Sequence, residues 1–211
     1  MKKKRCLLIV DVQNDFMHGG ALAVPDAEDI LKPINHALCR HKLAVATQDW
    51  HPAGHGSFAA NHPGRAVFET IDLNGLPQVL WPVHCVQHTG GALFAPGLRT
   101  DLIDRVFVKG TDPEVDSYSG FFDNGRRKDT GLAAWLREQG VTALDVCGVA
   151  TDYCVKFTVL DALAEGFEVN LLTEACRGVE LQEGDIRKAL AEMHQAGATM
   201  TFFNKPLVPW E

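Results

Sequence analysis

In the stretch VCGVATDYCV, residues 146–155, two of the chain's six cysteines stand seven positions apart, and only their surroundings distinguish them. Cys147 lies inside the apolar run ALDVCGV, with no helix end or charge beside it in sequence, and reads as core filling. Cys154 falls where a helix should begin after that run. Unpaired N–H groups and the helix dipole favour an anion there, which would lower a thiol pKa and make the sulfur a nucleophile. The same N–H groups, with those of the turn at Val149 and Ala150, can hold a developing oxyanion. The position also suits a small apolar filler. Asp11 ends the run CLLIV and Lys109 ends VFV. Singly, they suit a loop cap and a snorkelling lysine. With Cys154 they make a base, a cation and a nucleophile, the set that covalent catalysis requires.

A second chemistry is written in QDWHPAGH, residues 48–55. Asp49 and His51, two apart, can face one side of an extended segment, and a third ligand can come from His55 or from His84 in WPVHC. One carboxylate and two imidazoles with open positions suit Zn, Mn or Fe. Histidines that only hydrogen-bond loop backbone are the plainer alternative. Phe16, Trp50 and Trp81 stand close in sequence to these groups and can wall a pocket for a flat ring, or simply pack. Cys6, Cys39 and Cys176 read as packing residues.

Apolar runs of strand length supply the frame: 6–10, 43–47, 105–109, 143–149, 168–173 and 198–203. Helical patterns alternate with them, which predicts βα units around a parallel sheet buried on both faces. Helices are expected over 26–40, with a kink at Pro33, from about Asp129 to a stop at Gly140, from about Asp152 to Gly166, and over 184–196. The third should bury Val155, Val159, Ala162 and Leu163. From Trp50 to about Leu102 little regular structure is readable. Five of the nine histidines fall there, so the segment reads as an ordered functional loop system. In such sheets ligands sit beyond the carboxyl ends of the strands. That rule gathers Asp11, Asp49, His51, Lys109, Thr151 and Cys154 at one edge.

With 211 residues and no repeat, the chain is expected to form a single domain over 1–211. A net charge of -7 argues against a nucleic-acid footprint or an anionic membrane patch. The apolar run after MKKKR ends at Asp11 after five residues, too short for a signal peptide. A cytoplasmic protein with free thiols is expected, since no CxxC or close pairing occurs.

Five ordered stretches, DVQNDF (11–16), QDWHP (48–52), WPVHC (81–85), VKGTDPEVDSYSGFFDN (108–124) and GVATDYCV (148–155), resemble the motif set of bacterial nicotinamidases, also called pyrazinamidases, among the isochorismatase-like cysteine hydrolases. The resemblance implies a three-layer α/β sandwich with a mainly parallel, about six-stranded central sheet. It implies hydrolysis of nicotinamide, with pyrazinamide as a second substrate, to feed NAD salvage. Cys154 would be the nucleophile, forming a thioester, Asp11 the proton carrier and Lys109 the cation. The amides of Ala150 and Cys154 would form the oxyanion hole, with a cis peptide between Val149 and Ala150. Asp49, His51 and His84 would hold one divalent metal, zinc first among the candidates, that binds the pyridine nitrogen. His55 is a further candidate ligand, Phe16 and Trp81 would pack on the ring, and Val149 and Ala150 would also touch substrate.

The alternatives are a relative acting on a carbamoyl or ureido group, an isochorismatase cleaving a vinyl ether, a hydrolase using metal-bound hydroxide, and a non-catalytic scaffold. A metal set suited to a pyridine nitrogen is useless to the first two. Thiol alkylation would spare the third, and an ammonia-release assay separates the fourth.

Overall fold

The structure, a computed structural model, describes residues 4–201. Six strands form one wholly parallel sheet: β1 (Arg5–Val10), β2 (Ala44–Asp49), β5 (Arg105–Lys109), β6 (Ala143–Val149), β7 (Glu168–Arg177) and β8 (Thr199–Thr201). Their order is β5-β2-β1-β6-β7-β8, so the chain winds outward in both directions from the centre. β6 is buried along its whole length and β1 everywhere but Arg5, because flanking helices cover both faces of the central strands. At the edge, β5 buries Phe107 and Lys109 and exposes Val106 and Val108.

The helical segments sit close to their expected places. Before α1 (Leu31–Leu38) a 3-10 turn runs from Ala27 to Ile30, behind Asp26 at φ 54. Pro33 lies in the first turn of α1, where no N–H is required within the helix, so it fits there without loss of a helical hydrogen bond. α2 (Leu132–Glu138) follows Gly131. α3 (Lys156–Ala164) is preceded by a π turn over Thr151–Val155, closed by Val155 N–H donating to Ala150 O at 3.0 Å. Val155, Val159 and Ala162 are buried as expected, with Leu163 half-buried. α4 covers Asp185–Gln195.

Region 50–102 holds more regular structure than the sequence suggests. β3 (Thr70–Leu73) and β4 (Leu76–Val79) form an antiparallel hairpin around Asn74 and Gly75, both at positive φ. β8 begins at Thr199, one residue after the expected start at 198, and 202 and 203 of the expected strand lie outside the described residues. No helix among the described residues is long and apolar enough to cross a membrane.

Candidate active site

The parallel sheet determines which groups meet. β2 and β5 pair with Asp49 opposite Lys109, and β1 lies on the other side of β2. Asp11, immediately after β1, sits at φ 51, in the left-handed region that Asp tolerates better than most residues. Lys109 Nζ lies 2.9 Å from Asp11 Oδ2, 2.5 Å from Asp49 Oδ1 and 3.4 Å from Cys154 Sγ, and it donates to Ser117 O at 2.8 Å. All four side chains are buried. The contact with Asp11 is an ion pair without hydrogen-bond alignment, so Oδ2 has no hydrogen-bond partner while Thr47 donates to Oδ1 at 2.6 Å. Carboxylate oxygens of Asp11 and Asp49 and the Cys154 sulfur lie within 4.8 Å of one another.

Electrostatics assigns the resting protons. Burial pushes the Cys154 thiol well above its ordinary value, and Asp11 and Asp49 push the same way against the opposing Lys109. The expected lowering by a helix start is therefore outweighed, and the shift favours the neutral thiol. Burial also raises Asp11, with Lys109 and Thr47 opposing. For Asp49 burial acts upward too, but Lys109 and His51 hold the carboxyl well below its ordinary range. Lys109 is disfavoured as a cation by burial, yet its two carboxylates hold it well above the usual lysine value.

The metal-type residues converge beside this triad. Asp49 Oδ2 is 3.7 Å from His51 Nε2 and 3.8 Å from His84 Nε2. His51 Nδ1 donates to Gly110 O at 2.9 Å and His84 Nδ1 donates to Pro82 O at 2.8 Å, because a carbonyl only accepts. In the neutral ring each Nε2 then carries the lone pair on the side of the Asp49 oxygen, the tautomer that a metal ligand needs. Gly110, at φ 65, is required here: a Cβ would stand 2.3 Å from His51 Cε1. This set of one carboxylate and two imidazoles fits zinc. His55 is arranged differently. Its Nδ1 accepts from Ser57 N–H at 3.1 Å, so Nε2 carries the proton in the neutral ring, and Nε2 is buried with no hydrogen-bond partner among the described residues.

A cavity over these groups is lined by Phe16, Leu22, Trp81, Tyr118, Ala150, Tyr153 and Val179, with Asp49, His51, His84, Asp116 and Cys154 at its base. Trp81 meets Tyr153 edge-on at 4.8 Å between ring centroids, and Tyr118 lies 5.5 Å from Tyr153. Trp81 Nε1 donates to the Tyr118 hydroxyl at 3.3 Å, which fixes the indole. A roomier cleft of about 200 Å³ also touches Lys109 but contains neither the thiol nor the imidazoles. Val149 and Ala150 are joined by a cis peptide. Gly148 before them, at φ 124, lies so near β1 that a Cβ would stand 2.0 Å from Val10 O.

Each site residue expected from sequence lies in or beside this cavity except Trp50, which stacks edge-on with His88 at 5.3 Å. Thr47, Ser117, Tyr118 and Tyr153 were not anticipated. Ser117 and the two tyrosines lie within the motif stretches, so a signal existed for these three, whereas Thr47 carries none apart from its partner. Cys147 is buried, and all six cysteines are free.

The family model described as the Isochorismatase domain matches residues 5–202. The chain is 51% identical to the nicotinamidase of Escherichia coli K12 over 211 residues, covering 98% of this chain and 97% of that protein. A solved Acinetobacter baumanii nicotinamidase and pyrazinamidase superposes with a TM-score of 0.92 at 42% identity, covering 96% of this chain and 97% of the other. The pyrazinamidase of Pyrococcus horikoshii, solved in complex with zinc, superposes with a TM-score of 0.77 at 39% identity, covering 95% and 99%.

Proposed function

The chain belongs to the isochorismatase family as a hydrolase of amide carbon–nitrogen bonds, and we propose that it hydrolyses nicotinamide to nicotinate and ammonia. The observation that carries this reading is the placement of Cys154, Asp11 and Lys109 against the Asp49, His51 and His84 set, in a cavity walled by Phe16, Trp81, Tyr118 and Tyr153.

Asp11 Oδ2 takes the proton from Cys154 Sγ, and Lys109, 3.4 Å from the sulfur, stabilises the thiolate. The sulfur attacks the carboxamide carbon, and the amides of Ala150 and Cys154 receive the oxyanion. Collapse of the tetrahedral adduct breaks the C–N bond, with Asp11 returning the proton so that ammonia leaves. The nicotinoyl thioester remains on Cys154. Asp11 then takes a proton from water as the water adds to the thioester carbon, and nicotinate departs with the thiol restored. Phe16, Trp81, Val149 and Ala150 hold the ring and carboxamide during both steps. A divalent metal, zinc foremost, held by Asp49, His51 and His84, would supply a Lewis-acidic point to which the pyridine nitrogen anchors.

Pyrazinamide, which keeps a ring nitrogen at the same distance from its carboxamide, is assigned as a second substrate. We place the enzyme in the cytoplasm as one domain over 1–211, producing nicotinate for NAD salvage, with no nucleic-acid or membrane partner.

An ammonia-release assay tests this directly. Wild type should turn over nicotinamide, and folded Cys154→Ala should be inactive. Absence of ammonia release by folded, zinc-supplemented wild type would refute the assignment.

A further inference from the structure

The segment DVQNDF supplies a base in Asp11 and a ring wall in Phe16, and three polar side chains between them, Gln13, Asn14 and Asp15, have no role in that chemistry. Gln13 is fully buried. Its Oε1 accepts the Asp49 N–H at 2.8 Å, and its Nε2 donates to Asp49 O at 2.8 Å and Ala92 O at 2.9 Å. β1 stops at Val10 while β2 continues to Asp49, so the end of β2 lacks a ladder partner on that side. The Gln13 amide stands in for the missing strand and satisfies both backbone groups of Asp49.

Asp15 does the corresponding work on the other arm. Its Oδ2 accepts the Cys85 N–H at 2.7 Å, and Cys85, which directly follows His84, sits at φ 46. A non-glycine residue in that region needs an outside hold, and the Asp15 carboxylate supplies it. Gly91 approaches so closely that a Cβ there would stand 2.1 Å from Asp15 Oδ2, which leaves the carboxylate little freedom.

We infer that Gln13 and Asp15 are positioning residues of the metal site, fixing the backbone of Asp49 and the turn after His84 so that one short segment sets the separation of the two ligand arms. This rests on the metal set proposed above. Groups that orient metal ligands typically change affinity about 10- to 100-fold when removed.

The test is zinc affinity of the full-length apoprotein, measured by competition with a chromophoric chelator, for wild type, Gln13→Leu, Gln13→Glu, Asp15→Ala, Asp15→Asn and Asp49→Ala. Gln13→Leu and Asp15→Ala should bind zinc about 10- to 100-fold more weakly, with a rise in KM for nicotinamide larger than the fall in kcat. The Cys154 alkylation rate, which a general loosening of the fold would change, should stay at the wild-type value. Asp15→Asn keeps an acceptor and should stay near wild type. Gln13→Glu keeps the acceptor for Asp49 N–H but loses both donors; it should fall between, and it decides the matter if Gln13→Leu does not fold. Unchanged zinc affinity in folded Gln13→Leu and Asp15→Ala overturns the inference alone. Equal affinity of wild type and Asp49→Ala overturns the metal set beneath it.

Discussion

Thr47 donates its hydroxyl proton to Asp11 Oδ1 at 2.6 Å, from a fully buried position on the neighbouring strand. That bond occupies one carboxylate oxygen and leaves the other, Oδ2, beside Lys109 and the thiol. Removing it leaves a buried acceptor unpaired, at a cost of about 1.5–3 kcal/mol. Thr47→Val should therefore lower kcat/KM about 10- to 100-fold. Thr47→Ser should recover most of it. Steady-state kinetics on both variants checks the pair, and a loss in Thr47→Ser with Thr47→Val near wild type would mean that the methyl group, packed against Gly120, is what counts.

The two cysteines of β6 and the π turn should separate cleanly. Cys154→Ala removes the nucleophile and should abolish ammonia release. Cys147→Ala removes a buried sulfur whose hydrogen bond is to Leu8 O at 3.8 Å. It should keep substantial activity while losing on the order of 1 kcal/mol of stability. Equal loss of activity in two folded variants would reject Cys154 as the nucleophile.

Metal removal should act first on substrate binding. Dialysis against a strong chelator is expected to raise KM for nicotinamide and to abolish nicotinate binding in calorimetry. Added zinc should restore both. Full activity and unchanged KM in protein free of metal by elemental analysis would exclude an anchoring role for Asp49, His51 and His84.

Stability should carry a pH signature far from the site. His41 Nδ1 faces Ala37 O at 2.8 Å and Nε2 faces Asp145 at 2.7 Å, so both ring nitrogens meet acceptors and the imidazolium is favoured. Burial opposes that charge, but the Asp145 carboxylate and the Ala37 carbonyl outweigh it and raise His41 above 6.5. A raised folded-state pKa means that the stabilisation is complete below the unfolded value of about 6.5 and is lost as pH rises through the folded value. His41→Gln should thus lower Tm by a few degrees near pH 5.5, for a contribution of about 1 kcal/mol, and by less near pH 8.5. Thermal melts of both proteins across that range test the sign.

The central strands were readable because runs such as CLLIV and ALDVCGV leave no alternative to burial on both faces. Placing ligands beyond their carboxyl ends then gathered Asp11, Lys109 and Cys154 correctly. The hairpin at 70–79 escaped because Asp72 and Pro77 break the alternation of a strand, although Asn74-Gly75 is the pair that such turns favour. The upward shift of the Cys154 thiol is hidden from the sequence for a different reason. Local sequence carries the helix start, whereas the burial and the two carboxylates that outweigh it come from β1 and β2. Gln13 and Thr47 illustrate the same limit: each looks like an ordinary polar residue until its partner, 36 positions away, is known.

Asp49 and Lys109 are direct ladder partners at the ends of β2 and β5, on strands that hydrogen bonding holds about 4.8 Å apart. The spacing between carboxylate and ammonium is thus a property of the backbone lattice rather than of side-chain choice. Slipping β5 by one residue would bring Val108 to the centre and turn the ammonium to the opposite face. Substitutions in the loops that line the cavity can reshape which molecules enter while the two strands keep this pairing. The catalyst's ruler is the sheet itself, and it becomes correct at the moment the edge strand docks.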